Sequence, residues 1–399
     1  MTSFGTAKAQ NPVTITYWRA GGVGGQLGAD QQKILKAFED KNPDIKVNVE
    51  LVPFAEYDQK SQTSMTASEG PDILEVNSVT IGLFVQRGLL LPIDDMLKSS
   101  AIKADQFYKG AWDSTNIKGK VWGLPLDTGT RLVLWNKQLF KDAGVKPFGD
   151  TVTWDELLAA AKAINAPDKG IYGWGYAAGE RWLSLYDGFG HFAIQNDAKF
   201  IDADGKVVTD SPEMLETLKF YHDLTRFSPA DAMNFNTLAQ IEQLFSDGKL
   251  GMYIAGWWSM DGVIKANSKL DFGITMPGKK VTGSSTGGWI VSIPKHVEGA
   301  KQDAAWKFMQ VIFDPTNNAV WTDLVSNQAA SPNIKLNDKR YDLYLKILKD
   351  SRHPLPLIAE LPALADSLQA QIQQMLLDKQ TPEDTQKAIT TEFKSILNQ

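Results

Sequence analysis

Two stretches decide how this chain is read: Gly119-Lys-Val-Trp-Gly-Leu-Pro-Leu-Asp-Thr-Gly-Thr-Arg-Leu-Val-Leu-Trp-Asn-Lys137 and Asp247-Gly-Lys-Leu-Gly-Met-Tyr-Ile-Ala-Gly-Trp-Trp258. The first is a turn followed by an apolar strand that the polar run Asp127 to Arg131 interrupts. The second is a turn, a short buried strand, and two tryptophans emerging at its carboxyl end. Polar groups beside a strand crossing, with aromatic faces at a strand end, are what a cleft for a small polar ligand requires.

Outward from these stretches the pattern is α/β. Val13 to Trp18 is a β run, and Ala29 to Lys41 places Ile34, Leu35 and Phe38 on one helical face that Asn42-Pro43 ends. Ile45, Val47, Val49 and Leu51 alternate with polar residues, a strand signal. A helix over Tyr57 to Ala67 leads to the apolar strand Ile73 to Val76. Strands alternating with helices argue for a mostly parallel sheet. Trp154 to Ile164 reads as a helix with Thr153 as cap and Glu156 in the capping-box position. Ile171 to Phe200 has little regular period. Phe272 to Met276 and Trp289 to Ile293 read as strands, and from Thr316 the chain reads as helical apart from Pro354 to Pro362.

At 399 residues, two domains are expected. Hydrophobic residues at 43%, charged residues at 22% and a net charge of -6 describe a soluble globular chain without the basic footprint of a nucleic-acid binder. No stretch approaches the roughly 18 apolar residues of a membrane span. The chain has no cysteine, which removes disulfides, thiolate metal sites and a cysteine nucleophile, and suits export into an oxidising compartment. Ala7-Lys8-Ala9 before Gln10 has the small-x-small form of a signal-peptidase site. Met1 to Ala9 is therefore expected to be a remnant or disordered tail.

Motifs for chemistry are few. The glycine loop Gly22-Val-Gly-Gly-Gln-Leu-Gly28 departs from the dinucleotide fingerprint, because Leu27 holds the third glycine position. It reads either as a bland turn or as backbone amides and Gln26 laid against a polar ligand. His191, His222, His296 and His353 lack ligand spacing, so no metal and no cofactor is implied. Asp94-Asp95 reads as a helix cap, and Asp202-Ala-Asp204-Gly205 as a turn rather than a calcium loop. The twelve tryptophans are the anomaly. Trp112, Trp154, Trp306 and Trp321 read as core, whereas Trp18, Trp182, Trp257, Trp258 and Trp289 stand in loop-like contexts where a flat ring stacks on a sugar face. Arg19, Gln26, Glu56, Asn77, Asp127 and Arg181 are the planar polar types that bond hydroxyls.

The chain resembles the extracellular solute-binding proteins of ABC importers, in the carbohydrate-binding group that includes maltose-binding proteins. The resemblance runs nearly full length, through Phe38 to Val49, Gly70-Pro-Asp-Ile73, Leu89 to Asp94, Gly123 to Arg131, Trp135-Asn-Lys137 in place of a usual Tyr-Asn-Lys, Thr153 to Leu157, Phe245 to Met252 and Thr381 to Asp384. It implies a two-lobed, type II periplasmic binding protein fold of two α/β lobes joined by three crossings. Lobe one would be 10–126 plus 271–313, and lobe two 127–270 plus 314–399. The ligand-facing positions it implies are the loop Trp18, Arg19 to Gln26; Glu56 and Tyr57; Asn77 and Ser78; Asp127 to Arg131; Glu180, Arg181 and Trp182; Trp257 and Trp258; and Gly288 and Trp289. The stretch Pro354 to Leu364 carries no aromatic platform, which favours a mono- or disaccharide over a long oligosaccharide. Function would be capture by hinge closure and delivery to a membrane permease, by a periplasmic or extracellular monomer without enzymatic activity. Two alternatives stay open: an anionic polyol such as glycerol phosphate held by Arg19, Arg131 and Arg181, and a carbohydrate-active enzyme using Glu56 and Asp127.

Overall fold

The structure is a computed structural model, and it describes residues 12–21, 27–322, 328–332 and 339–399. The expected amino-terminal tail, Gln26 and most of the glycine loop lie outside the described residues.

The chain forms two compact units, Met1–Asp127 with Trp289–Leu324 and Ala329–Ile334, and Thr128–Gly288 with Val325–Gln328 and Lys335–Gln399. In the first, the strand order is Ile45–Pro53, Val13–Gly21, Ile73–Asn77, Trp289–Ser292, Leu124–Pro125. The first three run parallel, while Trp289–Ser292 is antiparallel to both of its neighbours. In the second, the order is Tyr172–Gly175, Leu250–Ala255, Leu132–Asn136, Phe272–Gly278, Thr151–Thr153. Here Leu132–Asn136 runs antiparallel to both neighbours, and the outer pairs are parallel. Each sheet is therefore mixed, with one antiparallel strand placed inside it, where a mostly parallel sheet was expected.

The boundaries also differ from the expected ones. Phe272–Gly278 pairs with Leu132–Asn136, which keeps the segment up to Gly288 in the second unit. The helix Pro315–Trp321 belongs to the first, because Trp321 stacks on Tyr17 at 6.0 Å.

Helix Gly299–Ile312 covers the first sheet with Ala304, Ala305, Phe308, Met309 and Ile312. In the second unit, Thr153 caps Trp154–Ile164 as its sequence demands. The Glu156 amide donates to Thr153 Oγ1 at 3.2 Å, and the Thr153 amide donates to Glu156 Oε2 at 2.9 Å. Helices Arg181–Tyr186 and Phe189–Gln195 occupy the segment that lacked period. The reason is burial on every side: His191, Phe192, Ala193 and Gln195 are fully buried, so no polar stripe marks the helix.

Strand Tyr172–Gly175 lies so close to Trp154–Ile164 that a Cβ on Gly173 would sit 1.9 Å from the Ala161 carbonyl oxygen. Gly173→Ala is expected to lower stability by about 1–3 kcal/mol through forced separation of the two elements, read as a fall in the urea midpoint.

Candidate functional site

Each sheet gathers the ligand-type residues along one edge. In the first unit, Val13–Gly21 and Ile73–Asn77 are parallel, and their carboxyl ends bring Arg19 and Asn77 to the same side. Trp289 pairs with Asn77 in register, because its strand starts at that edge and runs the other way. The Trp289 amide donates to Asp127 Oδ1 at 2.7 Å, so the last residue of the unit's first segment holds the first residue of its second. In the second unit, the carboxyl ends of Tyr172–Gly175 and Leu250–Ala255 lead into Ala177–Trp182 and Gly256–Trp258. Leu132 pairs with Ala255, which sets Arg131 beside Gly256. Ligands of open α/β sheets bind beyond such strand ends.

The first-unit edge is built around a buried carboxylate that sequence reasoning missed. Glu75 is 2% exposed, and it accepts from the Tyr17 hydroxyl at 2.6 Å, Arg19 Nε at 2.7 Å and the Ala20 amide at 3.3 Å. Its signal was a charge inside the apolar run Ile73 to Val76. Arg19 lies over the Trp321 ring at 5.3 Å. Trp18 and Tyr57 are buried: the Tyr57 hydroxyl donates to the Trp18 carbonyl at 2.9 Å, and Lys60 Nζ covers the Trp18 ring at 4.3 Å. Residues 18 to 21 are strand rather than the expected loop. Ser78 is buried behind Asn77, whose Oδ1 accepts from the Val79 amide at 3.1 Å. Glu56 is exposed in the first turn of Phe54–Thr66. Trp289, half-buried, meets the edge of Tyr57 at 5.3 Å.

The second-unit edge centres on Arg131. Its Nε donates to Asp187 Oδ1 at 3.1 Å, and its guanidinium lies 4.9 Å from the Trp258 ring and 5.4 Å from the Tyr186 ring. Arg131 Nη1 is buried with no hydrogen-bond partner among the described residues. Trp258 is half-buried and lies flat over Gly256, where a Cβ would come within 1.9 Å of the ring. Trp257 is instead core, 5% exposed and packed on Tyr341 and Tyr344. Glu180 Oε2 accepts from the Trp182 amide at 2.7 Å and the Leu183 amide at 3.2 Å, which makes it a helix cap. Arg181 Nη1 donates to both oxygens of Asp366 at 2.8 and 2.9 Å, and its guanidinium lies 4.8 Å from the half-buried Trp182 ring. Gly288, half-buried, ends the unit's first segment. Asp187, Tyr186, His353 (whose Nδ1 lies 3.0 Å from the Tyr186 hydroxyl) and Asp366 were not legible beside these candidates, because each arrives from an element whose packing the sequence does not show. Of the tryptophans expected in the core, Trp154 and Trp321 are buried, while Trp112 and Trp306 are half-buried.

Among the described residues, no cluster of His, Cys, Asp or Glu has the form of a metal site, and no helix is long and apolar enough to cross a membrane. A cavity of about 510 Å³ in the second unit is lined by Tyr172, Phe235, Gln240 and Leu244, none of them a residue the sequence singled out.

Residues 23–319 match the family described as bacterial extracellular solute-binding protein. The chain belongs to that family. An ABC transporter solute-binding protein from Thermotoga lettingae, bound with alpha-D-tagatose, superposes with a TM-score of 0.85 at 28% identity, covering 96% of this chain and 99% of that one. The mannitol-binding protein of Pseudomonas aeruginosa is 25% identical over 70% of this chain and 66% of its own length. The sn-glycerol-3-phosphate-binding periplasmic protein UgpB of Escherichia coli is 24% identical over 79% of this chain and 74% of its own. The solute-binding protein thus has the type II periplasmic binding fold, with its two mixed sheets and their antiparallel inner strands.

Two buried histidines give this solute-binding protein an acid-sensitive side. Burial, assisted by the Arg131 charge, holds His191 down to about 3 and His353 down to about 4. In the unfolded chain both titrate near 6.5, so the unfolded state takes up protons first as pH falls. Their contribution is intact above about pH 6.5 and is lost progressively toward pH 4. His191→Leu is expected to flatten this decline, measured as melting temperature from pH 7 to pH 4.

Proposed function

We propose that this solute-binding protein captures a neutral mono- or disaccharide, or the corresponding polyol, for an ABC importer permease. One observation carries this reading: each arginine suited to an anion already holds a carboxylate. Arg19 pairs with Glu75 at 2.7 Å, Arg131 with Asp187 at 3.1 Å and Arg181 with Asp366 at 2.8 Å. A phosphate would have to compete with these carboxylates, two of them nearly buried. A neutral hydroxylated ligand needs only remaining donors and acceptors, each of which costs about 1–3 kcal/mol if buried unpaired. Trp182, Trp258 and Trp289 supply the apolar faces for the C–H side of such a ring.

Hinge closure on the ligand stabilises the closed form, which the permease reads. The protein works outside the cytoplasm, as a monomer, and performs no chemistry. The glycerol-phosphate relative supplies the competing ligand class for the test.

A thermal-shift panel of D-tagatose, D-mannitol, maltose and sn-glycerol 3-phosphate checks the reading. A ligand at about 100 times its dissociation constant adds about 2.7 kcal/mol, several degrees for units of this size. The expected outcome is a shift with a neutral compound that is insensitive to 0.5 M salt. A shift confined to glycerol phosphate, screened by salt, overturns the neutral-ligand reading.

A further inference from the structure

We infer that the helix Leu361–Leu376 sets the affinity of the site by clamping the segment 178–182, with Gln369 and Gln373 as positioning residues. This rests on the reading that Glu180 to Trp182 face the ligand.

Five consecutive residues of that segment are each held by a partner. The Ala178 carbonyl accepts from Gln373 Nε2 at 2.7 Å and from Gln369 Nε2 at 3.0 Å, which uses both of its lone pairs. The Gly179 amide donates to the Phe235 carbonyl at 2.9 Å, and a Cβ at Gly179 would fall 2.3 Å from Asn236 Oδ1. The Glu180 carboxylate accepts from the amides two and three residues on, Trp182 at 2.7 Å and Leu183 at 3.2 Å. Arg181 is locked to Asp366 and lies against Trp182. Asp366, Gln369 and Gln373 stand at i, i+3 and i+7, one face of one helix turned to one loop.

One donor satisfies a buried carbonyl, so the second glutamine is surplus to stability. A doubled donor fixes the direction of the peptide plane instead. It aims the following residues at a set orientation, as a rigid binding site requires. The leucines of the same helix, Leu361, Leu364 and Leu368, are buried and carry its packing separately.

The test is hydrogen exchange of the full chain across residues 176–186, without ligand, for Gln369→Met, Gln373→Met and the double variant. Calorimetric titration with D-tagatose, D-mannitol and maltose runs beside it. Either single variant retains one donor and is expected to change exchange by no more than about twofold, whereas the double variant raises it by about tenfold. That rise should be confined to this segment, and affinity for whichever sugar the wild type binds should fall by about the same factor. Additive effects, exchange equal to wild type in the double variant, or a rise spread over the whole unit with a lower melting temperature would each overturn the clamp. Faster exchange with unchanged affinity would overturn its role in binding. A wild type that binds none of the three sugars overturns the sugar reading instead, and the exchange arm alone then decides the clamp.

Discussion

The chain leaves its first unit at Asp127 and returns at Trp289, and both residues lie at the carboxyl edge of the parallel strands of that unit. A strand that enters a sheet at that edge has to run down it, against its neighbours. This direction constraint produces Trp289–Ser292 in one sheet and Leu132–Asn136 in the other, each antiparallel on both sides. Within the first unit it brings Asp127 and Trp289 to the strand ends where Arg19 and Asn77 arrive, and within the second it brings Arg131 to the end of the strand that leads into Trp258.

The second constraint is electrostatic. Arginines taken out of water need counter-charges, and buried pairs are costly to break from one side, by about 3–5 kcal/mol. Glu75 and Asp187 answer Arg19 and Arg131, and the aromatic rings of Trp321, Trp258 and Tyr186 cover the guanidinium faces. The result at each edge is an arginine whose charge is answered by a carboxylate and whose faces are covered by aromatic rings.

Much of the fold was legible because local signals agreed with it. The alternation from Ile45 to Leu51, the capping box at Thr153 and the helical character of the chain after Pro362 all appear where sequence placed them. Phe189–Gln195 was not legible, since a helix buried on every face has no period. The five loop-like tryptophans divided for a related reason. Trp18 and Trp257 precede ordinary turns in sequence, yet they are covered by Lys60 and by Tyr341 and Tyr344, residues that only folding brings near.

The sequence by itself determined the α/β class, the elements, the two-part organisation and the family, because periodicity, caps and turn residues act over a few positions. Tertiary structure alone decided which candidates share an edge, which arginines are already paired, and that a carboxyl-terminal helix holds the segment 178–182. Those are long-range facts: the Arg181–Asp366 and Ala178–Gln373 partners lie 185 and 195 residues apart. No local physical rule links side chains at that separation; their meeting follows only from closing the sheets.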